Sequence, residues 1–277
     1  SRADARRPGG ALVIQAHGLV KLYGGRKVLR DVDLDLEQGQ CMVIVGSNGV
    51  GKTTLLRVLA GLVRPSSGTA CIAGFDVAQD PISVRRMVGF VSHQPLLYED
   101  LSAMENLRFY GKLYSVSHLD ARTAELLKQM GLWARRDDPV RIYSRGMRQR
   151  LSIARALLHS PPVLLFDEPY TGLDQGSSQA LDSLLNMGSV VAEPDQRGAM
   201  RTILLTTHSL DDALRAQAEF SQGRRVAILA DGRIVYCTAQ GSEDSPARTE
   251  AIIRLRTEYD RWMAADAGLE RRSVRAQ

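Results

Sequence analysis

Cys41-Met-Val-Ile-Val-Gly-Ser-Asn-Gly-Val-Gly-Lys-Thr-Thr-Leu-Leu56 joins an apolar run to a glycine-rich turn and then to an apolar-periodic segment. Cys41 to Val45 is apolar throughout and reads as a strand buried on both faces. Thr54 to Ala60 has helical periodicity, and Gly61 suits the helix C-terminus. Between them Gly46, Ser47, Asn48, Gly49, Val50, Gly51, Lys52 and Thr53 fit the pattern G-x-x-x-x-G-K-[ST], in the strand-to-helix context its mechanism requires. Successive backbone N–H groups in such a loop, with the helix N-terminus behind them, surround phosphate oxygens. Lys52 then reaches the β and γ phosphates, and the Thr53 hydroxyl binds Mg²⁺, with Thr54 following in the same turn. The bland alternative is an ordinary glycine-rich turn. Scarcity of lysine weakens it, since Lys21, Lys27, Lys52, Lys112 and Lys128 are all the lysines in 277 residues.

On the N-terminal side, Asp31, Asp33 and Asp35 alternate with Val32, Leu34 and Leu36, the period of a half-buried antiparallel strand. Tyr23-Gly-Gly-Arg26 reads as the turn before it. On the C-terminal side, the region from about Leu97 to Ser160 is helical in period, with Leu107, Leu113, Leu126, Leu127, Met130 and Leu132 at amphipathic spacing. Val163 to Phe166 and Thr202 to Thr206 are short apolar strands separated by a helical stretch, and that alternation implies a parallel sheet. Asp231-Gly232 between two further runs signals a hairpin. Pro246 to Met263 fits one helix, Arg271 to Gln277 a basic tail, and residues 1–10 a flexible arm without the apolar core of a signal peptide. Ser189 to Gly198 and Glu219 to Arg225 read as polar surface loops.

Val163-Leu-Leu-Phe-Asp-Glu-Pro169 supplies the second half of a phosphate site. A buried strand ending in a carboxylate puts Asp167 beside the phosphate loop, where it can hold Mg²⁺ directly or through water. Glu168, one residue on, points differently and can polarise an attacking water as general base. Two solvated acids at a strand terminus would look the same in isolation.

Tyr143-Ser-Arg-Gly-Met-Arg-Gln-Arg-Leu-Ser-Ile-Ala-Arg-Ala-Leu157 resembles the signature segment of ATP-binding-cassette ATPases. Tyr23, the phosphate loop, Gln94, the signature, Asp167-Glu168, Thr171-Gly-Leu-Asp174 and His208 stand in that family's order, so the resemblance covers about Leu12 to Thr238. It implies an α/β fold, a P-loop NTPase (RecA-like) core with an N-terminal antiparallel β subdomain and an inserted α-helical subdomain at about 97–160. The cassette would span 11–240, with 241–277 forming the C-terminal helix and tail. It implies ATP and Mg²⁺ as ligands. It implies a head-to-tail dimer with a second copy, in which Ser144, Arg145, Gly146 and Met147 face the partner's ATP and Asp174 links the two sites. By the same resemblance Tyr23 stacks on adenine, Gln94 senses Mg²⁺ and the attacking water, and His208 hydrogen-bonds the γ-phosphate. A packed tyrosine and a surface glutamine are the plain alternatives for Tyr23 and Gln94. The chain departs from the usual L-S-G-G-Q at Tyr143, Arg145 and Met147, a variant similar to those of exporter cassettes.

Hydrophobic residues at 44% and charged residues at 24% exclude a disordered chain and name no special class. Lys+Arg 36 against Asp+Glu 31 leaves +5, which suits a phosphate-rich ligand or an anionic membrane face, and equally nothing in particular. Cys41, Cys71 and Cys237 form no C-x-x-C pair, against a disulfide framework or zinc knuckle. No stretch approaches the roughly 18 apolar residues of a membrane helix. A transport role therefore calls for a separate integral-membrane chain, with this one on the cytoplasmic face of the membrane. Phe90 to Tyr114 resembles the corresponding stretch of the heme-exporter ATPase of cytochrome c maturation, which implies heme export; other exporter cassettes (drug, lipid or polysaccharide type) remain the alternative. A soluble cassette acting on nucleic acid or ribosomes generally needs two cassettes or long coiled coils, so no nucleic acid is expected.

Overall fold

The computed structural model describes residues 11–185, 200–219, 224–238 and 252–264. Its centre is a six-stranded sheet made of β3 (Cys41–Val45), β6 (Val88–Val91), β7 (Val163–Asp167), β8 (Thr202–Thr207), β9 (Arg224–Ala230) and β10 (Arg233–Cys237), in the order β10-β9-β3-β8-β7-β6. All pairings are parallel except the β9–β10 hairpin, whose Asp231 and Gly232 take φ of 47° and 72°. Asp-Gly supplies the positive φ that such a tight turn needs. β3 alternates across the sheet. Cys41, Val43 and Val45 face a core shared with Phe166 and Leu205, whereas Met42 and Ile44 face one shared with Leu165 and Leu229. Both faces are covered, which is why the run is continuously apolar.

A second, antiparallel sheet has the order β2-β1-β4-β5, from β1 (Leu12–Tyr23), β2 (Arg26–Glu37), β4 (Ser67–Ile72) and β5 (Phe75–Asp76). Val32, Leu34 and Leu36 are buried while Asp31 and Asp33 are exposed, as the alternation predicts. Helix α1 (Lys52–Leu59) lies in the core between the two sheets and buries Leu55, Leu56, Val58 and Leu59 there. Each such side chain contributes about 1.5–3 kcal/mol. Gly61, just past its end, takes φ of 64° as a helix-terminating glycine does. A short helix α2 (Pro81–Met87) leads into β6.

No strand lies between Val91 and Val163. Helices α3 (Ala103–Leu113), α4 (Leu119–Gln129) and α5 (Arg145–Leu157) fill that span and pack on the other core through Leu107, Leu126, Leu127 and Leu151, joined by Met130 and Leu132 just past α4. Ser102 and Glu105 form a reciprocal capping box at the start of α3. Leu113 departs from the expected apolar face. It stands at the last residue of α3, beyond the packed stripe of Ala103, Leu107 and Gly111, and is 67% exposed. Helices α6 (Gln175–Leu185) and α7 (Leu210–Glu219) follow β7 and β8 respectively. A further helix covers 252–264, within the predicted Pro246–Met263 segment and one residue past it. Of the expected polar loop at 219–225, Glu219 ends α7 and Arg224 and Arg225 open β9, and 220–223 lie outside the described residues. The arm, the 189–198 segment and the basic tail lie outside the described residues.

Candidate functional site

The turn between β3 and α1 is shaped by glycines that no larger residue can replace. A Cβ on Gly46 would run into the Leu229 carbonyl of β9. Gly51 takes φ of 113°, and a Cβ there would lie 2.9 Å from both Leu29 Cδ2 and the Val28 carbonyl oxygen. Lys52, first residue of α1, is 4% exposed. Its Nζ donates to the Gly46 and Ser47 carbonyls at 2.8 Å each and pairs with Glu168 Oε1 at 3.0 Å. Three hydrogens thus meet three acceptors. Thr53 Oγ1 donates to Asp167 Oδ1 at 3.0 Å.

Asp167 closes β7 and is 1% exposed. Parallel register sets Thr206 of β8 beside it, and the Thr206 hydroxyl donates to the same Oδ1 at 3.0 Å. Oδ2 has no hydrogen-bond partner, an orphaned buried oxygen next to the Thr53 hydroxyl. Hard oxygen donors of this kind fit Mg²⁺, which binds through one or two protein groups plus substrate phosphates rather than an all-protein cage. No group of three or more His, Cys, Asp or Glu able to hold a metal occurs among the described residues.

Glu168 takes φ of 50°, a left-handed conformation that costs a non-glycine residue about 1 kcal/mol or more and turns its carboxylate back over the phosphate loop. Besides Lys52 it engages Thr171 Oγ1 at 3.0 Å and His208 Nδ1 at 3.0 Å. Burial pushes the Glu168 carboxyl up, yet the hydrogen bond and charge of Lys52, joined by Thr171 and His208, outweigh it and leave the group below its ordinary value.

Lys52, Thr53, Asp167, Glu168, Thr171 and His208 line one cleft of about 640 Å³, which Gln94, Gly49 and Gly51 also border. The predicted residues Asn48, Gly49, Gly51, Lys52, Thr53, Thr54, Gln94, Asp167, Glu168 and His208 all meet there. Tyr23, 46% exposed at the end of β1, does not line it; Lys21 Nζ sits 5.0 Å from its ring centre. Nor do Ser144, Arg145, Gly146 and Met147. Ser144 caps α5 by accepting from Met147 N at 3.2 Å, Gly146 packs on Ser177, and the Arg145 guanidinium lies against Gly172. Asp174 accepts from Ser177 N at 2.7 Å, and the Ser177 backbone and hydroxyl hold its carboxyl below the usual value. Sequence reasoning passed over Thr206, whose signal is its register with Asp167, and gave Thr171 no role of its own.

A family model described as ABC transporter matches residues 29–171. The Nod factor export ATP-binding protein I of Cupriavidus metallidurans is 40% identical over 73% of this chain and 65% of its own length. The daunorubicin/doxorubicin resistance ATP-binding protein DrrA of Streptomyces peucetius is 35% identical over 92% of this chain and 76% of its own. Among solved structures, a dimeric post-hydrolysis state of an ATP-binding cassette bound to ADP and Pi superposes with a TM-score of 0.67 at 25% identity, over 83% of this chain and 99% of that one. The chain therefore belongs to the ABC transporter family. Within it, this is an ATP-hydrolysing cassette, built on the P-loop NTPase fold.

Proposed function

We propose that this chain is the energy-supplying subunit of an exporter, binding ATP in the 640 Å³ cleft and working with a second cassette and a separate membrane-spanning chain. The observation that carries the reading is the convergence of Lys52, Thr53, Gln94, Asp167, Glu168 and His208 on that cleft from four separate stretches of sequence. The loop from Gly46 to Thr53, including Ser47 and Val50, wraps the phosphates, and Thr53, Asp167 and Gln94 would hold Mg²⁺. When bound, the ion neutralises charge on the phosphate oxygens. Lys52 turns from Glu168 to a phosphate oxygen, and Glu168, released from its ammonium, accepts a proton from the attacking water. His208 steadies the γ-phosphate, and Tyr23 stacks on adenine. A second copy's signature segment, Ser144 to Met147, closes over the γ-phosphate with its helix N-terminus, and Asp174 lies at the join.

Leu96, Tyr98, Phe109 and Leu113 stand exposed together around the Gln94 loop and α3, a suitable face for a membrane partner. A peripheral place on the cytoplasmic side belongs to the same proposal; no helix among the described residues is long and apolar enough to cross a membrane. For cargo, the relatives named for Nod factor export and for daunorubicin/doxorubicin resistance favour an exporter of the drug type over a heme exporter. The heme reading rests on the 90–114 stretch alone. Glu168→Gln should abolish turnover while ATP stays bound, and with ATP and Mg²⁺ it should elute as a dimer on size exclusion. An undiminished hydrolysis rate would remove Glu168 from the role of general base.

A further inference from the structure

Gln94 sits in a loop between β6 and α3, and the backbone carbonyls on either side of it are both held from the helical insertion. Ahead of it, the Phe90 carbonyl accepts from Arg155 Nη2 of α5 at 2.6 Å. Behind it, the Leu96 carbonyl accepts from the Tyr110 hydroxyl of α3 at 2.6 Å. The Arg155 guanidinium lies 5.1 Å from the Tyr110 ring centre, so the two side chains that hold the loop also hold each other. Arg155 is 8% exposed, forms no ion pair among the described residues, and leaves its Nε without a partner. A buried cation without a carboxylate is costly, and an apolar side chain would fill the same space more cheaply. Its short hydrogen bond to the Phe90 carbonyl and its packing on Tyr110 are what hold it there. Arg155 also rides on the helix that Ser144 caps, about three turns further along.

We propose that Arg155 and Tyr110 are positioning residues, a two-point clamp that ties the Phe90–Leu96 loop, and through it Gln94, to the helix that begins at the signature segment. The clamp fixes where Gln94 stands at the edge of the cleft, while nucleotide contacts on the phosphate loop are untouched. The inference rests on the reading of Gln94 as a group that acts on the attacking water. The residues act through Gln94, so their loss lowers turnover and leaves ATP affinity alone.

The test is steady-state ATP hydrolysis by the purified chain, with thermal melting measured alongside, in the Gln94 and Gln94→Ala backgrounds. Tyr110→Phe, which deletes only the hydroxyl, should lower kcat about fivefold, and Arg155→Met about tenfold, each with KM for ATP within about twofold. Arg155→Lys should restore most of the rate, because an ammonium can still donate to the Phe90 carbonyl. In the Gln94→Ala background neither Tyr110→Phe nor Arg155→Met should slow turnover further. Equal proportional losses in both backgrounds, with Gln94→Ala itself slow, would overturn the clamp alone; so would a loss of Tyr110→Phe activity that tracks a lowered melting temperature or a raised KM. A Gln94→Ala chain as fast as wild type would overturn the Gln94 reading and the clamp with it. Should Arg155→Met not fold, Tyr110→Phe carries the test.

Discussion

Replacing Glu168 by Gln should tighten ATP binding to a single copy of this chain, because Glu168 and an incoming phosphate compete for one ammonium. The three hydrogens of Lys52 Nζ are taken by the Gly46 and Ser47 carbonyls at 2.8 Å and by Glu168 Oε1 at 3.0 Å. A phosphate oxygen has to displace at least one of them. The carboxylate is the strongest of the three: at 3.0 Å and an effective dielectric of about 20, its gross attraction to the ammonium is about 5.5 kcal/mol. Side-chain exposures of 4% and 14% leave little room for solvent screening. Desolvation nonetheless cancels most of the gross attraction, and about a quarter of it, about 1.4 kcal/mol or tenfold in affinity, is expected to oppose phosphate binding. Lys52→Met should weaken binding by about tenfold or more, since it removes a charge-assisted contact. In the Lys52→Met background, Glu168→Gln should gain only what relief of carboxylate–phosphate repulsion supplies, so the double-mutant cycle should show a coupling of about 1 kcal/mol. The assay is equilibrium titration with a fluorescent ATP analogue in EDTA, at chain concentrations where sedimentation shows single copies, so that dimer trapping adds nothing. A Glu168→Gln affinity within twofold of wild type, or an equal gain with and without Lys52, would refute the competition.

Thr206→Val removes the hydroxyl that donates to Asp167 Oδ1, a carboxylate 1% exposed whose other oxygen has no partner, so stability should fall by about 2 kcal/mol and the melting temperature by about 4–8 °C. A calorimetric melt within about 1 °C of wild type would show that this bond contributes nothing. His159 stacks on Tyr114 at 3.9 Å, and burial, with Arg155 nearby, lowers its pKa from 6.5 to about 4. A folded-state pKa below the unfolded one means that the neutral ring's contribution is complete above about 6.5 and is lost as pH falls toward about 4. His159→Phe keeps the stack, so the difference in urea stability between pH 7 and pH 4.5 should shrink by roughly 2 kcal/mol; an unchanged difference would refute the assignment.

What was legible in the sequence was whatever a few neighbouring residues decide. Cys41 to Thr53 reads as strand, loop and helix because period, glycine positions and the Lys-Thr ending are all local, and the structure begins α1 at Lys52 as that pattern requires. The same holds for the alternation in β2 and for the Asp231-Gly232 turn. Leu113 was misread for the complementary reason. Helical spacing says which residues share a face but not where the packing partner ends, and α3 outruns its own.

The cleft resisted sequence reading wherever its chemistry depends on strand order. Asp167 was expected beside the phosphate loop, and Thr53 does reach it, but the sheet runs β3-β8-β7, so the strand latest in sequence of the three lies between the other two. That insertion is what brings Thr206 against Asp167 and lets Glu168 N donate to the Thr206 carbonyl at 3.1 Å. It also sets the end of β8, and His208 just after it, beside Glu168. No local pattern reports such a crossing, because β8 is apolar on both faces and its threonines look like ordinary β-branched strand formers. Arg155 and Phe90, 65 residues apart, met for the same kind of reason: β6 is the edge strand next to β7, and α5 packs along it. The groups that bind phosphate were thus readable from local pattern. The groups that hold those binding groups in place belong to the topology, and the substitutions at Thr206, Tyr110 and Arg155 separate the two roles.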